Sequence, residues 1–351
     1  MAQPRVTIVR SWKAELLWVL ASFAVIQLVL AVAIERWLLT VRDPEYEVKL
    51  ERLQARVAEA PSSRLVLLLG SSRTLLGLQA GRLSESLKSE NTQVFNFGLR
   101  GVGPRLELVY LRRLLQAGIQ PDWLVVEIIP SLFNHSGEMT LEEAWFNGAR
   151  LSKRELSFLR PYCSRPLRLV RQYWLGRCVP CSFHQEELRD FLALDSSADG
   201  LAYAGAMGKL DDYGWHPVVS DVTVEQRRKS TELTYRQYAP TLQHFELAAR
   251  PAQALYDLLE LCRQRGIRVA LLVPPEGSEF RALYTAQMSA GVDHLLKTLS
   301  DSFAVPLFDA RTWAPDAGFW DCHHLLPAGA SAFTDRFERQ ALRPWLQQKS
   351  R

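Results

Sequence analysis

Five short apolar runs divide this chain, and each stops at a residue that ends a strand. Arg64-Leu65-Val66-Leu67-Leu68-Leu69 gives way to Gly70, and Gln93 to Phe97 gives way to Gly98. Trp123 to Ile129 is closed by Pro130, Ile267 to Val273 by Pro274-Pro275, and Ala304 to Phe308 by Asp309. An apolar run without polar alternation is expected of a strand buried on both faces of a parallel sheet. Helix-period segments lie between the runs, at about 104–117, 251–265 and 279–298. Strands alternating with helices predict a three-layer α/β parallel sheet with right-handed crossovers. Ligands bind such sheets beyond the carboxyl ends of the strands. Gly70 to Ser72, Gly98 to Gly103 and the residues from Asp309 onward all fall there.

One further run is too long for a strand. Leu16 to Ile34 holds no charge, and at about nineteen residues it approaches the ~20 that span a bilayer as a helix. Trp18 and Trp37 suit its two interfaces. Arg5, Arg10 and Lys13 precede it against Glu15 alone, whereas Glu35, Asp43, Glu45 and Glu47 dilute Arg36 and Arg42 beyond it. The positive-inside bias puts residues 1–15 in the cytoplasm and the body outside, as a single-pass protein of the plasma (inner) membrane. Ala31-Val32-Ala33 offers a weak cleavage site, but the length and flanks favour an uncleaved anchor over 16–38. Residues 39–61 read as a charged juxtamembrane stalk, broken at Pro61. The body then runs over 62–348, with an aromatic- and arginine-rich insertion at about 135–248 where no strand pattern appears. Net charge is only +4, and no basic cluster alternates with aromatics, so nucleic acid is not an expected partner.

Near the end, Asp321 stands three residues before His324 in a polar turn that leads into a helix. That spacing lets a carboxylate sit beside an imidazole, fix its tautomer and stabilise its protonated form. His323 adjoins it, and the Asp-x-x-His register selects His324. The dyad needs a nucleophile, and Ser72 suits: it lies in a tight turn at a strand's carboxyl end, before a helix.

Gly70-Ser71-Ser72 and Asp321-x-x-His324-Leu325-x-Pro327-x-Gly329 resemble the first and last blocks of the SGNH (GDSL-like) hydrolase superfamily. The resemblance extends over roughly 62–345. It implies a flavodoxin-like three-layer sheet with Ser72 as nucleophile, His324 as general base and Asp321 as its orienting acid. It also implies an oxyanion hole, with Gly98 or Gly101 as backbone donor. The family's Gly-x-Asn-Asp block is replaced by Glu127-Ile128-Ile129-Pro130-Ser131-Leu132-Phe133-Asn134, where Asn134 is the substitute donor. One lost donor costs about 10²–10³ in rate. Membrane-anchored relatives that acylate cell-envelope polymers share the anchor and the Gly-Ser-Ser block. The expected function is therefore an esterase or O-acyltransferase on acyl esters of cell-envelope or exported polysaccharide, with no cofactor or metal. The alternative is a catalytically silent binding protein among envelope-assembly partners.

Three features lie outside these blocks. Cys163, Cys178 and Cys181 suggest a disulfide within the insertion, with a zinc site completed by His184 as the alternative. Asp211 to Pro217 reads as a surface turn or a sugar-lining loop, and Pro274-Pro275-Glu276 as a pocket rim.

Overall fold

The computed structural model describes residues 12–135, 139–192, 210–217, 222–243 and 246–348. The five apolar runs form five parallel strands: β1 (Arg64–Gly70), β2 (Thr92–Gly98), β3 (Trp123–Glu127), β4 (Arg268–Val273) and β5 (Leu307–Asp309). Their spatial order is β2-β1-β3-β4-β5, the flavodoxin-like order, whose reversal beside β1 opens a crevice at the carboxyl ends. The fifth strand is shorter than its apolar run. Ala304 takes a left-handed conformation (φ 51°) as a helix C-cap, so pairing begins only after Pro306.

Strand period 2 sends alternate residues to opposite faces, and both faces are covered. The main helices are α1 (Trp12–Arg36), α2 (Pro44–Glu59), α3 (Ser72–Gly77), α4 (Ala80–Ser86), α5 (Pro104–Gln116), α6 (Pro166–Cys178), α7 (Val224–Gln243), α8 (Ala249–Arg265), α9 (Ala286–Phe303) and α10 (Pro327–Phe337). Leu65, Leu67, Leu69, Leu124 and Val126 pack with side chains of α2, α5, α8 and α9. Val66, Leu68, Val94 and Val125 pack instead with α4, α10 and Trp345. The result is a three-layer α/β fold.

The stalk expectation needs revision. α2 lies on the sheet, with Tyr46 and Leu53 in the core, and its Lys49 is fully buried. The Lys49 Nζ donates to the carbonyls of Asn96 (2.8 Å), Gly98 (2.6 Å) and Gly214 (2.8 Å). An alternating charge pattern looks solvated in sequence, yet here it carries an ammonium that ties the end of β2 to the 211–217 turn. That turn also receives Asn96 N–H at the Tyr213 carbonyl (2.9 Å), and Trp215 donates to the Leu76 carbonyl (2.9 Å). It therefore braces the edge of the sheet.

Among the described residues, 135–248 holds helices and turns and no strand, with α6 and α7 its longest helices. Its two ends meet in an antiparallel bridge between Asn134 and Leu247. α1 is different in kind. In its most apolar stretch only 11% is buried, and it is long and apolar enough to cross a membrane.

Replacing Lys49 by Met is expected to leave three buried carbonyls unpaired and to lower unfolding free energy by about 3 kcal/mol. Denaturant titration of the full chain in detergent measures this. An unchanged midpoint would show that Lys49 does not hold these loops.

Candidate active site

The turn after β1 is held from beneath by Glu127, the last residue of β3. Its carboxylate accepts Ser71 N–H (2.9 Å), Ser71 Oγ–H (2.7 Å), Thr74 N–H (3.0 Å) and Thr74 Oγ1–H. Gly70 must be glycine because a Cβ there would collide with this carboxylate. Ser71 caps α3 by accepting Arg73 N–H, and Leu75 N–H bonds back to the Ser71 carbonyl. From Ser71 to Leu75, the N–H of Ser72 alone has no protein partner among the described residues.

The hydroxyl of Ser72 meets the turn after β5. Ser72 Oγ lies 2.8 Å from His324 Nε2, and His324 Nδ1 lies 2.7 Å from Asp321 Oδ2. Asp321 Oδ1 accepts the N–H of His324 (2.8 Å) and of His323 (3.2 Å). Cys322 makes this tight turn in a left-handed conformation (φ 68°). Burial opposes the charge on Asp321, but His324 and His323 and the hydrogen bonds from His324 outweigh it and hold the pKa at about 2. Asp321 is thus an anion at neutral pH, facing the ring it would stabilise as imidazolium. Ser72, His324 and Asp321, singled out from sequence, are together in space.

The oxyanion candidates separate. Asn134 is buried at the base of the insertion, where its Nδ2 donates to the Thr241 carbonyl and its Oδ1 accepts Glu246 N–H (2.7 Å). It is a clasp for the insertion and does not line the cleft. Gly98 N–H donates to Asn96 Oδ1 (2.9 Å), so that donor is occupied. Gly101 does line the cleft, at φ 70°, and its N–H has no protein partner among the described residues.

The cleft has a volume of about 500 Å³. Ser72, Asp321 and His324 line it together with Gly101 and Arg100, and the insertion adds Trp145, Thr234, Gln237 and Tyr238. His323 forms an inner wall, with its ring 5.4 Å from both Phe280 and Tyr238. Beside it Arg73 is paired with fully buried Glu276 (2.6 Å), which also accepts Tyr284 Oη–H (2.5 Å). Glu276 is therefore an internal counter-ion and not a rim residue. The bonds of Glu127 to the Ser71–Thr74 turn and the Arg73–Glu276 pair were not foreseen from the sequence. The available signal was a lone carboxylate inside an apolar run, since a charge there must find partners.

The cysteines do not behave as expected. All five are free: Cys163 is buried, donating to the Leu159 carbonyl (3.4 Å), while Cys178 and Cys181 are exposed. Among the described residues, the one grouping able to hold a metal is Asp321, His323 and His324, which excludes Cys163, Cys178, Cys181 and His184.

The family described as "Protein of unknown function (DUF1574)" matches residues 17–153. No curated protein matches the chain. Among solved structures, a psychrotrophic esterase from Pseudoalteromonas sp. is similar at 12% identity, covering 82% of this chain and 100% of its own, with a TM-score of 0.39. An acetylxylan esterase from Geobacillus stearothermophilus gives 14% identity, 80% and 94% coverage and a TM-score of 0.37. The SGNH-hydrolase family esterase AlinE4 gives 15%, 82% and 98%, and 0.34.

Burial, aided by His324, holds the pKa of His323 well below 6.5, and burial with Arg150 and Arg177 nearby holds His184 at about 4. Both are neutral when folded and titrate near 6.5 when unfolded. Below about pH 6.5 each of these two histidines binds more protons in the unfolded chain, so its contribution lowers stability as pH falls, by at most about 1.4 kcal/mol per unit. Between pH 6.5 and 5 the melting temperature of wild type should fall relative to that of His323→Phe. Parallel melting-temperature profiles for the two proteins from pH 7 to 5 would contradict a neutral buried His323.

Proposed function

We propose that this chain is a membrane-anchored serine ester hydrolase or O-acyltransferase of the SGNH type. The observation that carries this reading is the unbroken relay from Ser72 Oγ through His324 to Asp321, with both contacts under 3 Å, opening on a cleft large enough for a substrate. In the reaction, Ser72 Oγ bonds to the acyl carbon while its proton passes to His324 Nε2. The C–O bond to the leaving alcohol breaks, that oxygen takes the proton from His324, and an acyl-Ser72 ester remains. Water or a sugar hydroxyl then repeats the sequence and frees Ser72. The anionic Asp321 stabilises the imidazolium at each passage. The N–H groups of Ser72 and Gly101 are the backbone donors for the oxyanion, which makes an asparagine at position 134 unnecessary there.

A polysaccharide acyl ester suits the walls. Trp145 and Trp320 offer flat apolar faces, while Arg100, Thr234 and Gln237 offer polar groups in the same cleft, the mixture that sugar rings require. The anchor reading is supported by α1 itself, which is apolar, exposed and in contact with the folded body. Gln27 Nε2 donates to Cys181 Sγ (3.0 Å), and Arg177 pairs with Glu35. A leader cut away after export would have no use for such contacts. By the charge bias around α1, the body faces outward.

A fluorophosphonate probe tests the nucleophile. Wild-type protein should be labelled and Ser72→Ala should not; equal labelling of the two would remove Ser72 from its role. Asp321→Asn should keep the fold and lower the labelling rate by about 10²–10⁴, through loss of the imidazolium's counter-charge. A rate within twofold of wild type would show that Asp321 does not act on His324.

A further inference from the structure

Gln27 is the one strongly polar side chain in the apolar run, and its contacts carry a consequence for where the body sits. The Gln27 side chain bonds to Cys181 on both sides: Nε2 donates to Sγ (3.0 Å) and Oε1 accepts the Cys181 N–H (3.4 Å). Glu35 meets Arg177, which also donates to the Leu151 carbonyl (2.9 Å). The segment from Arg177 to Cys181 therefore descends alongside α1, from the level of Glu35 to that of Gln27. Gln27 is seven residues inside Ile34, the outer end of the apolar run, which at 1.5 Å per residue is about 10 Å. If α1 spans a bilayer, Cys181 lies at that depth too.

The segment is built for such a place. From Trp174 to Phe183 the sole charged side chain is Arg177, and it is paired. Trp174 is 55% exposed, one turn before the charged level, where tryptophan suits a membrane interface. Cys178 and Cys181 are also exposed. The backbone donors around the tip are satisfied, as hydrocarbon demands. Val179 N–H bonds to the Leu175 carbonyl, Ser182 and Phe183 N–H to Val179, and His184 N–H to Pro180. Pro180 has no donor, and Cys181 N–H is the one that Gln27 accepts.

We propose that the tip Trp174–Phe183 is immersed in the acyl chains of the leaflet on the body's side. The body is then partly embedded and not merely tethered, and the polar group of Gln27 in the span serves the tip. This rests on the reading of α1 as a membrane span.

The test uses the full chain in phosphatidylcholine–phosphatidylglycerol vesicles containing a lipid with a diazirine midway along its acyl chain. After photolysis, labelled tryptic peptides are mapped. Ala14–Arg36 reports on α1, and Gln172–Arg177 and Cys178–Arg189 report on the tip. Labelling of both regions, well above that of surface peptides from α8, is the expected result. Labelling of Ala14–Arg36 without the tip overturns the inference and leaves the anchor standing. Labelling of neither overturns the anchor reading itself. Tip labelling only when the diazirine is moved to the lipid headgroup also overturns immersion.

Discussion

The carboxylate of Glu127 gathers four donors from one short turn, two from backbone N–H groups and two from hydroxyls. A buried carboxylate is costly unless its lone pairs are filled, and here every bond that fills them also fixes the turn carrying Ser72. Among the described residues, the turn is left with one unbonded N–H, that of Ser72, beside a hydroxyl held 2.8 Å from His324. The site follows from β3 lying next to β1, because that neighbourhood brings the carboxylate under the turn.

The other side of the cleft depends on groups equally remote in sequence. Lys49 on α2 ties down the end of β2, and Glu45 accepts Arg100 N–H (3.4 Å) on the same loop. α2 thus helps to position Gly101, a cleft residue. Asn134 clasps the two ends of the insertion, whose α7 brings Thr234 to His323 (3.4 Å) and Tyr238 to the cleft wall. α2 and the insertion are therefore continuous with the cleft.

Much of this was legible in the residue pattern. Runs buried on both faces leave no choice but a covered parallel sheet, and an Asp-x-x-His turn has few uses besides aligning an imidazole. The meeting of Ser72, Asp321 and His324 could be foreseen because each signal is local: a turn, a spacing, a strand end. What was not legible was pairing at long range. Lys49 looks solvated until its three carbonyl partners, drawn from two distant segments, are seen. Gly98 and Asn134 carry the right groups for an oxyanion hole, yet Asn96, Glu246 and Thr241 occupy them. The cysteines share a spacing that suits a disulfide or zinc, but Cys163 turns into the core while Cys181 turns towards α1.

Ser72 is proposed to carry an acyl group during turnover, and the acyl-enzyme itself is the most direct evidence for it. Full-length protein is mixed with an activated acetyl ester, quenched in acid within the first turnover, and its peptides are mapped by mass. An acetyl group on the peptide containing Ser72 in wild type, and none in Ser72→Ala, is the predicted result. An acetyl group elsewhere, or ester cleavage that continues unchanged in Ser72→Ala, would contradict it.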